Sequence, residues 1–459
     1  MAGLARQNTV DKVTFVEMDE RTSSPTNSNG STKPIKPLQR AKTMTTDDYF
    51  SGPRDVTHHS RWPTIFQLHG SVMPSMVLPI FIVGLYSTVF TAIIWHQNKK
   101  HDWPPVLLGV LGFIVGLSLS FRSTTAYERY NDGRKYWSQM TGLSQNLARI
   151  IWINAKEREG ELGKEDVLAK ISAINLICAF SLAVKHRLRF EPYLDYEDLR
   201  PYAGHLETFA KDAGKGVDLA PREYSKKKQL GEFLGFSFAK SNPRKVIKQA
   251  PKPLGNLPLE ILAHLQAYID TIIDNGTLKT PCFQMQAIIA LQNFNDVLNG
   301  TDRILNTPLP AAYRIMITQI TWIYIITLPP QLYKALKWFT IPATVTAAYI
   351  ILGLALIGSE IENPFGYDVN DLPLDAFCEQ IQDDLALIMS KKKATKEELY
   401  KQSDNMVLYP ISHAGYDEWS KREEEDIREA LAGRPEYNFN RRRKAPVGMG
   451  PVDPVGVEV

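Results

Sequence analysis

Four stretches with almost no charged residues constrain the fold of this chain more than any other feature of its sequence. They lie near 75–96, 104–121, 311–334 and 338–358, and long polar tracts separate or flank them. A bilayer core about 30 Å thick is crossed by roughly 20 apolar residues in helical conformation. The sequence therefore predicts an all-α membrane protein with four transmembrane helices.

The average composition conceals this segregation. Apolar residues make up 44% of the chain and the formal net charge is +3, values that an ordinary soluble protein could have. The net charge says little about partners, because binding of a charged partner depends on the local potential of the surface it meets. Cys178, Cys282 and Cys378 are far apart and lack metal-ligand spacing, which argues against a disulfide framework or a zinc site.

The charges next to the second span predict the topology. Four spans place both termini on one side of the membrane. Arg122, Arg129 and Arg134 follow the second span closely, and the positive-inside rule puts them in the cytosol. Residues 122–310 and 359–385 then form a cytosolic helical region. The apolar stretch 165–190 is nearly long enough to span, but we prefer a buried cytosolic helix there.

The two ends of the chain are polar. Residues 1–60 contain no apolar signal-peptide core and are rich in Ser, Asn and Thr, so we expect a disordered cytosolic lead. A helix is predicted over 376–400, and an unstructured tail from about 401 to 459. Residues 386–459 are therefore assigned to a cytosolic C-terminal helix and a disordered tail.

The second predicted span carries an apolar stripe. Phe113, Leu117 and Phe121 are four residues apart and share one helix face. From the spacing alone, packing against neighbouring helices or lipid explains them most simply. Small residues, which let helices approach closely, occupy a different face. They are Gly109, Gly112 and Gly116.

Three sequence motifs connect the chain to a known family. The first is SFRSTTAYERY from Ser120, continued by GRKYW from Gly133; the second is PLPAAY at 308–313; the third is IENPFGYDVNDLPLD at 361–375. Together they resemble the bestrophin family, in particular its microbial, fungal and plant branch. The motifs occur in family order and the resemblance covers roughly 61–385, leaving out both tails.

This resemblance implies a specific function. Bestrophins are homopentameric anion channels with a central pore, which would conduct chloride and other monovalent anions. The family's three neck positions fall on Phe113, Leu117 and Phe121. An apolar throat can gate by dewetting and should favour large, weakly hydrated anions. The expected partners are these anions, the bilayer and further copies of the chain, without nucleic acid.

Two further sites follow from the resemblance. A second, cytosolic constriction would lie near Cys282, after Pro281; the alternative is a buried small residue. Asp368 and Asp371 fall on carboxylate positions of the calcium clasp of animal bestrophins, and carboxylates suit that hard cation. Neighbouring acidic positions of the clasp are missing here, so the alternative is that these residues cap turns or pair with a basic side chain.

Two other classes of function are weaker interpretations. A membrane enzyme would need clustered carboxylate and histidine ligands or a nucleophile motif, and the sequence contains no ExxH, HxxxH, GxSxG or P-loop pattern. An anion transporter would usually place ionisable residues at mid-membrane, whereas the spans here are nearly free of charge. We therefore predict a multi-pass anion channel; the sequence does not identify its membrane.

Overall fold

The computed structural model describes residues 70–97, 106–214, 252–391 and 393–432. Within these ranges every regular element is helical, which confirms the predicted all-α class. The N-terminal lead, 1–60, and the end of the tail, 433–459, lie outside the described residues. The helices are α1 (Met73–Gln97), α2 (Val106–Arg149), α3 (Glu161–Leu188), α4 (Arg200–Ala203), α5 (Phe209–Gly214), α6 (Leu257–Asp274), α7 (Pro281–Asn306), α8 (Ala311–Leu336), α9 (Thr340–Glu360), α10 (Leu374–Ser390), α11 (Lys396–Tyr400), α12 (Tyr416–Trp419) and α13 (Glu424–Ala432).

Each predicted span coincides with helix: α1, the first part of α2, α8 and α9. By length and composition, the described helical stretches able to cross a membrane are Met73–Gln97, Leu108–Asn154, Glu161–Leu188 and Ala311–Glu360, the last containing both α8 and α9. Helix α3 differs from the others, because 67% of its apolar window is buried inside the protein against 17–22% for the rest. This burial favours an internal helix over a further crossing.

Helix α8 continues through its two prolines instead of ending at them. Pro330 has no N–H to offer the carbonyl of Ile326, four residues earlier, so that acceptor loses its helical donor. The hydroxyl of Tyr86, on α1, donates to this carbonyl at 3.1 Å. A polar group inside the membrane is thereby paired within the protein.

Helix α2 is one continuous element of 44 residues. It passes Gly133 and Gly142 without a break and ends in a single π-helical turn at Ile150–Asn154. At Gly133 the loop after α9 lies directly on the helix. A Cβ there would be 3.0 Å from Leu372 and 3.1 Å from the ring of Phe365. The same helix therefore belongs both to the predicted membrane region and to the large helical core.

Helix α3 lies at the centre of that core, among α2, α6, α7 and α10. Phe180 of α3 meets Phe294 of α7 edge to face, with ring centroids 5.1 Å apart. Trp137 of α2 is fully buried against Phe377 of α10. Burying one large apolar side chain stabilises a fold by about 1.5–3 kcal/mol. The contact of Trp137 therefore fixes α2 to the core, and the contact of Phe180 fixes α7 to α3.

A cluster of charges surrounds the carboxyl end of α3, in which Lys185 and His186 are buried and their carboxylate partners are partly exposed. His186 pairs through Nδ1 with Glu191 at 2.6 Å and through Nε2 with Asp198 at 2.8 Å. Lys185 donates to Asp198 and, at 2.9 Å, to Asp375 at the start of α10. Cations at a helix carboxyl terminus also complement its dipole. The cluster joins α3, the loop that follows it and α10.

The pKa of His186 is raised above its usual value. Burial lowers the pKa, but the hydrogen bonds with Asp198 and Glu191 outweigh that effect. Both ring nitrogens face carboxylates, and only the imidazolium can donate from both. The cluster is therefore built for the protonated imidazole.

The chain after α10 departs from the sequence expectation. Helix α10 ends at Ser390, and a capping box of Thr395 and Glu398 starts the short helix α11. Where the tail was expected to be unstructured from about 401, short helices α12 and α13 occur. Leu408 and Trp419 are buried there, although the polar composition of the segment does not indicate it.

Replacing Gly300 by alanine tests the packing of α7 on α2. A Cβ at Gly300 would lie 2.3 Å from the ring of Tyr136, so we expect Gly300→Ala to destabilise the protein by about 1–3 kcal/mol. Gly142→Ala is the matched control, since nothing lies within 4 Å of its Cβ position. Thermal unfolding in detergent measures both; equal midpoints would contradict the close approach.

Replacing His186 by glutamine tests the charged cluster. Because the folded-state pKa is raised, the stabilisation by His186 is fully present below about pH 6.5 and is lost as pH rises through the folded-state value. Wild-type protein should therefore lose more stability between about pH 6 and 9 than His186→Gln. The exposed His264, changed to Gln, serves as control. Parallel pH profiles of wild type and His186→Gln would refute the role of the imidazolium.

Candidate functional site

The apolar stripe of α2 is exposed in the subunit. Phe113, Leu117 and Phe121 have 73%, 63% and 51% of their surface accessible. At 3.6 residues per turn they lie within about 80° of one another around the helix axis. They therefore form one continuous apolar face that the subunit itself does not cover.

The opposite face of α2 is used inside the subunit. Val115 and Leu119 are buried and pack with Ile317 of α8. Arg122, one turn on, is only 7% exposed and points the same way, with its guanidinium 4.0 Å from the carboxylate of Glu362. The direction of α2 is thus fixed by packing, and the stripe is turned outward as a result.

No charged side chain interrupts the stripe between Phe113 and Phe121. At its far end the ring of Phe121 lies 6.2 Å from that of Tyr313, at the start of α8. Such a surface offers a passing ion no hydrogen-bond donor, so the ion would lose hydration without direct compensation. The stripe can therefore act chemically as a hydrophobic barrier.

A cleft of about 500 Å³ opens beside the stripe, between α2, α8 and α9. Small residues of α2, including Gly116 and Ser120, line one wall. Gly112 allows a close approach of Tyr324, whose hydroxyl would lie 3.3 Å from a Cβ, whereas Gly109 and Gly116 have nothing within 4 Å. The predicted close helix contact thus exists within the subunit only at Gly112.

Cys282 lies in the first turn of α7, directly after Pro281. It is exposed, which contradicts the alternative of a buried small residue. Its Sγ is 3.6 Å from the amide nitrogen of Gln286. By contrast, Cys178 and Cys378 are buried, and burial raises the pKa of each thiol to about 12.

Asp368 and Asp371 belong to a tight turn between α9 and α10. Asp371 is buried, and its Oδ2 accepts the backbone N–H of Asp368 at 2.8 Å, while its own N–H donates to the carbonyl of Asp368 at 2.9 Å. The Asp368 side chain is exposed. Among the described residues there is no group of three His, Cys, Asp or Glu side chains that could hold a metal. This geometry fits the alternative in which the two residues cap a turn.

Two features of this region have no clear signal in the sequence. Arg129 donates to backbone carbonyls that lie more than 170 residues away along the chain, so local spacing could not indicate them. The charged cluster at His186 likewise depends on Asp375, which folds back from α10. The run of basic residues in the last turn of α3 indicates that carboxylates lie nearby, but it does not identify them.

Comparison with known proteins agrees with this architecture. Residues 54–386 match the family model described as Bacterial/Fungal Bestrophin protein. A voltage-dependent anion channel-forming protein of Nostoc sp. is 34% identical over 68% of this chain and 86% of its own length. A voltage-dependent anion channel-forming protein of Synechocystis sp. is 31% identical over 72% of this chain and 93% of its own length.

A solved structure shows the same fold. A bacterial bestrophin homologue from Klebsiella pneumoniae aligns with a TM-score of 0.51 and 21% identity. The alignment covers 69% of this chain and all of that one. The family model covers well over half of the sequence, in the region that contains α1 to α9 and most of α10. The chain is a member of the bacterial/fungal bestrophin family.

Proposed function

We propose that this integral membrane protein is an anion channel that conducts chloride and other monovalent anions. The observation that carries the proposal is the membership of residues 54–386 in the bestrophin family, whose curated relatives from Nostoc and Synechocystis are named as anion channel-forming proteins. Family membership also favours a channel over the membrane enzyme. The uncharged apolar stripe on α2 supports a pore more than a coupled transport site.

The conducting unit is a ring of subunits around a central axis, with five as the number that the family resemblance implies. Two observations support self-association. The stripe on α2 is not covered by its own subunit, so copies of the chain arranged around an axis can present it to a shared path. Gly116 and Ser120 beside it leave room for a neighbouring helix.

Phe113, Leu117 and Phe121 form the neck of this pore. Rings of Phe and Leu narrow the path and carry no fixed charge, so an anion has to shed part of its hydration shell to pass. The positive edges of the Phe rings partly compensate for the lost water. Weakly hydrated anions such as iodide consequently pass more easily than chloride.

Cys282 marks a second constriction at the cytosolic end of the path. Its support is its exposed position at the start of α7 together with the family resemblance. Residues 122–310 and 359–385 lie in the cytosol, as do both termini, in keeping with the basic residues that follow the second span. In this arrangement α3 is a buried cytosolic helix.

Recording from purified protein in planar bilayers tests the channel directly. We expect discrete single-channel currents whose reversal potential follows the anion gradient. Strictly coupled, turnover-limited flux without such currents would instead support the transporter alternative and overturn the channel.

Shortening the neck residues should change selectivity. Alanine at Phe113, Leu117 and Phe121 widens the throat, so hydrated chloride passes more easily and the iodide-to-chloride permeability ratio should fall by about twofold or more. Bi-ionic reversal potentials measure the ratio. The control carries alanine at Phe81 and Leu85, two exposed apolar residues of α1. An unchanged ratio in a correctly assembled triple variant would remove the neck assignment.

Calcium should not control this channel through Asp368 and Asp371. Because the Asp371 carboxylate is already engaged by its own turn, adding or chelating calcium should leave both open probability and thermal stability unchanged. Asp371→Asn should lower stability equally with and without calcium. A calcium-dependent difference that disappears in Asp371→Asn would show that the turn does bind the ion.

A further inference from the structure

Arg129 makes an unusual set of hydrogen bonds on the pore helix. It lies eight residues after Phe121 on α2, about 12 Å further along the axis. Its guanidinium donates to three backbone carbonyls: Nη2 to Ile304 at 2.6 Å, Nη1 to Thr307, and Nε to Glu362 at 3.0 Å. One side chain thereby binds three separate points of the main chain.

These carbonyls belong to the places where two other helices end. Ile304 and Thr307 are at the carboxyl terminus of α7, and Glu362 follows α9. Carbonyls in a last turn lack helical donors, and a cation there also meets the negative end of the dipole. The planar guanidinium of an arginine carries donors on three separate nitrogens and can reach acceptors at separate points, whereas the three donors of a lysine all radiate from one nitrogen. Arg129 thus ties α2 to the ends of α7 and α9.

A second contact holds α7 against α2 seven residues further on. Tyr136 of α2 lies over Gly300, and its hydroxyl accepts a hydrogen bond from Arg303 at 3.3 Å. Two attachments at different heights fix both the position and the direction of α7. This helix is 26 residues long and begins at Pro281, beside Cys282.

The two proposed constrictions therefore lie on two helices that are fastened together between them. The neck is on α2, before Arg129, and Cys282 is at the distant end of α7, 22 residues before Ile304 and about 33 Å from it along the helix. A straight helix transmits a change at one end to the other. Core packing holds the middle of α7 through Phe294, and Arg129 adds the attachment of the carboxyl end of α7 to α2, so the two together determine where Cys282 stands relative to the neck.

We propose that Arg129 is a positioning residue that couples the neck on α2 to the cytosolic constriction at Cys282, by fixing the carboxyl end of α7 to the pore helix. The expected effect of Arg129 on channel opening rests on the proposed channel function. Its structural part, the control of the position of α7, holds independently of conduction.

The test compares Arg129→Lys with Arg134→Lys. Lysine at 129 keeps the charge but presents its donors from a single nitrogen, so it cannot reproduce the three contacts that Nε, Nη1 and Nη2 make at separate points. Arg134 is on the same helix, five residues on, and its guanidinium lies 4.3 Å above the ring of Phe377 instead of binding carbonyls. Both variants are purified as full-length protein, and assembly is checked by size-exclusion chromatography with light scattering.

The first measurement is the labelling rate of Cys282 by a small methanethiosulfonate reagent. Cys282 is the exposed cysteine of the three, so it reports the far end of α7. We expect Arg129→Lys to change this rate by about two- to thirtyfold, and Arg134→Lys to leave it unchanged. A purely local loosening at Thr307 would not reach Cys282. An unchanged rate in an assembled Arg129→Lys oligomer would overturn the positioning role.

The second measurement is single-channel open probability. Arg129→Lys should change it while the iodide-to-chloride permeability ratio stays that of wild type, because the neck side chains are intact. If wild-type protein passes no current, the channel function is refuted, while the labelling rate of Cys282 still tests the position of α7.

Should Arg129→Lys not assemble, Tyr136→Phe is the second variant, since it removes one hydrogen bond between the same two helices. A changed labelling rate of Cys282 supports the positioning of α7 from α2, and an unchanged rate overturns it.

Discussion

The whole structure depends on α2 being a single uninterrupted helix. A helix pairs its backbone groups internally. It can therefore leave a bilayer and enter the large helical core without exposing unpaired N–H or C=O groups. The first part of α2 presents an apolar stripe, while the later part buries Trp137 in the helical core. Because both parts share one axis, the orientation of the stripe is set by packing outside the membrane as well as within it.

Packing around Gly133 shows how strict this relation is. The loop after α9 places Phe365 and Leu372 against the glycine, where a Cβ would be 3.1 Å and 3.0 Å away. Arg129 lies one turn earlier and binds the carbonyl of Glu362, from the same loop. Together these contacts hold the end of α9 on α2. Packing on α2 thus gives the third sequence motif, 361–375, a structural role.

The sequence predicted the features that depend on neighbouring residues. Hydropathy located the predicted spans on α1, on the first part of α2, on α8 and on α9. What it could not predict were contacts between distant segments. The acceptors of Arg129 and the carboxylates around His186 are brought together by folding, and no local pattern identifies them. The fold of the tail around Leu408 and Trp419 was missed because two apolar residues in a polar segment give no periodic signal.

Packing within the subunit determines which face of α2 is exposed. Spacing shows that Phe113, Leu117 and Phe121 share a face, and packing shows that this face is turned outward. The charged cluster at the end of α3 has the opposite character, since its hydrogen bonds among the described residues join segments of the same subunit.

The hydrogen bond between Tyr86 and Ile326 has a consequence for how such a chain can evolve. The proline at position 330 leaves a carbonyl without its helical donor, and a hydroxyl from another helix supplies the replacement. Either residue alone is unfavourable in the membrane interior. The proline leaves the carbonyl of Ile326 without a donor, and the hydroxyl of the tyrosine needs an acceptor for its proton. Among relatives, the two positions should therefore change together, with a proline at one accompanied by a hydroxyl donor at the other.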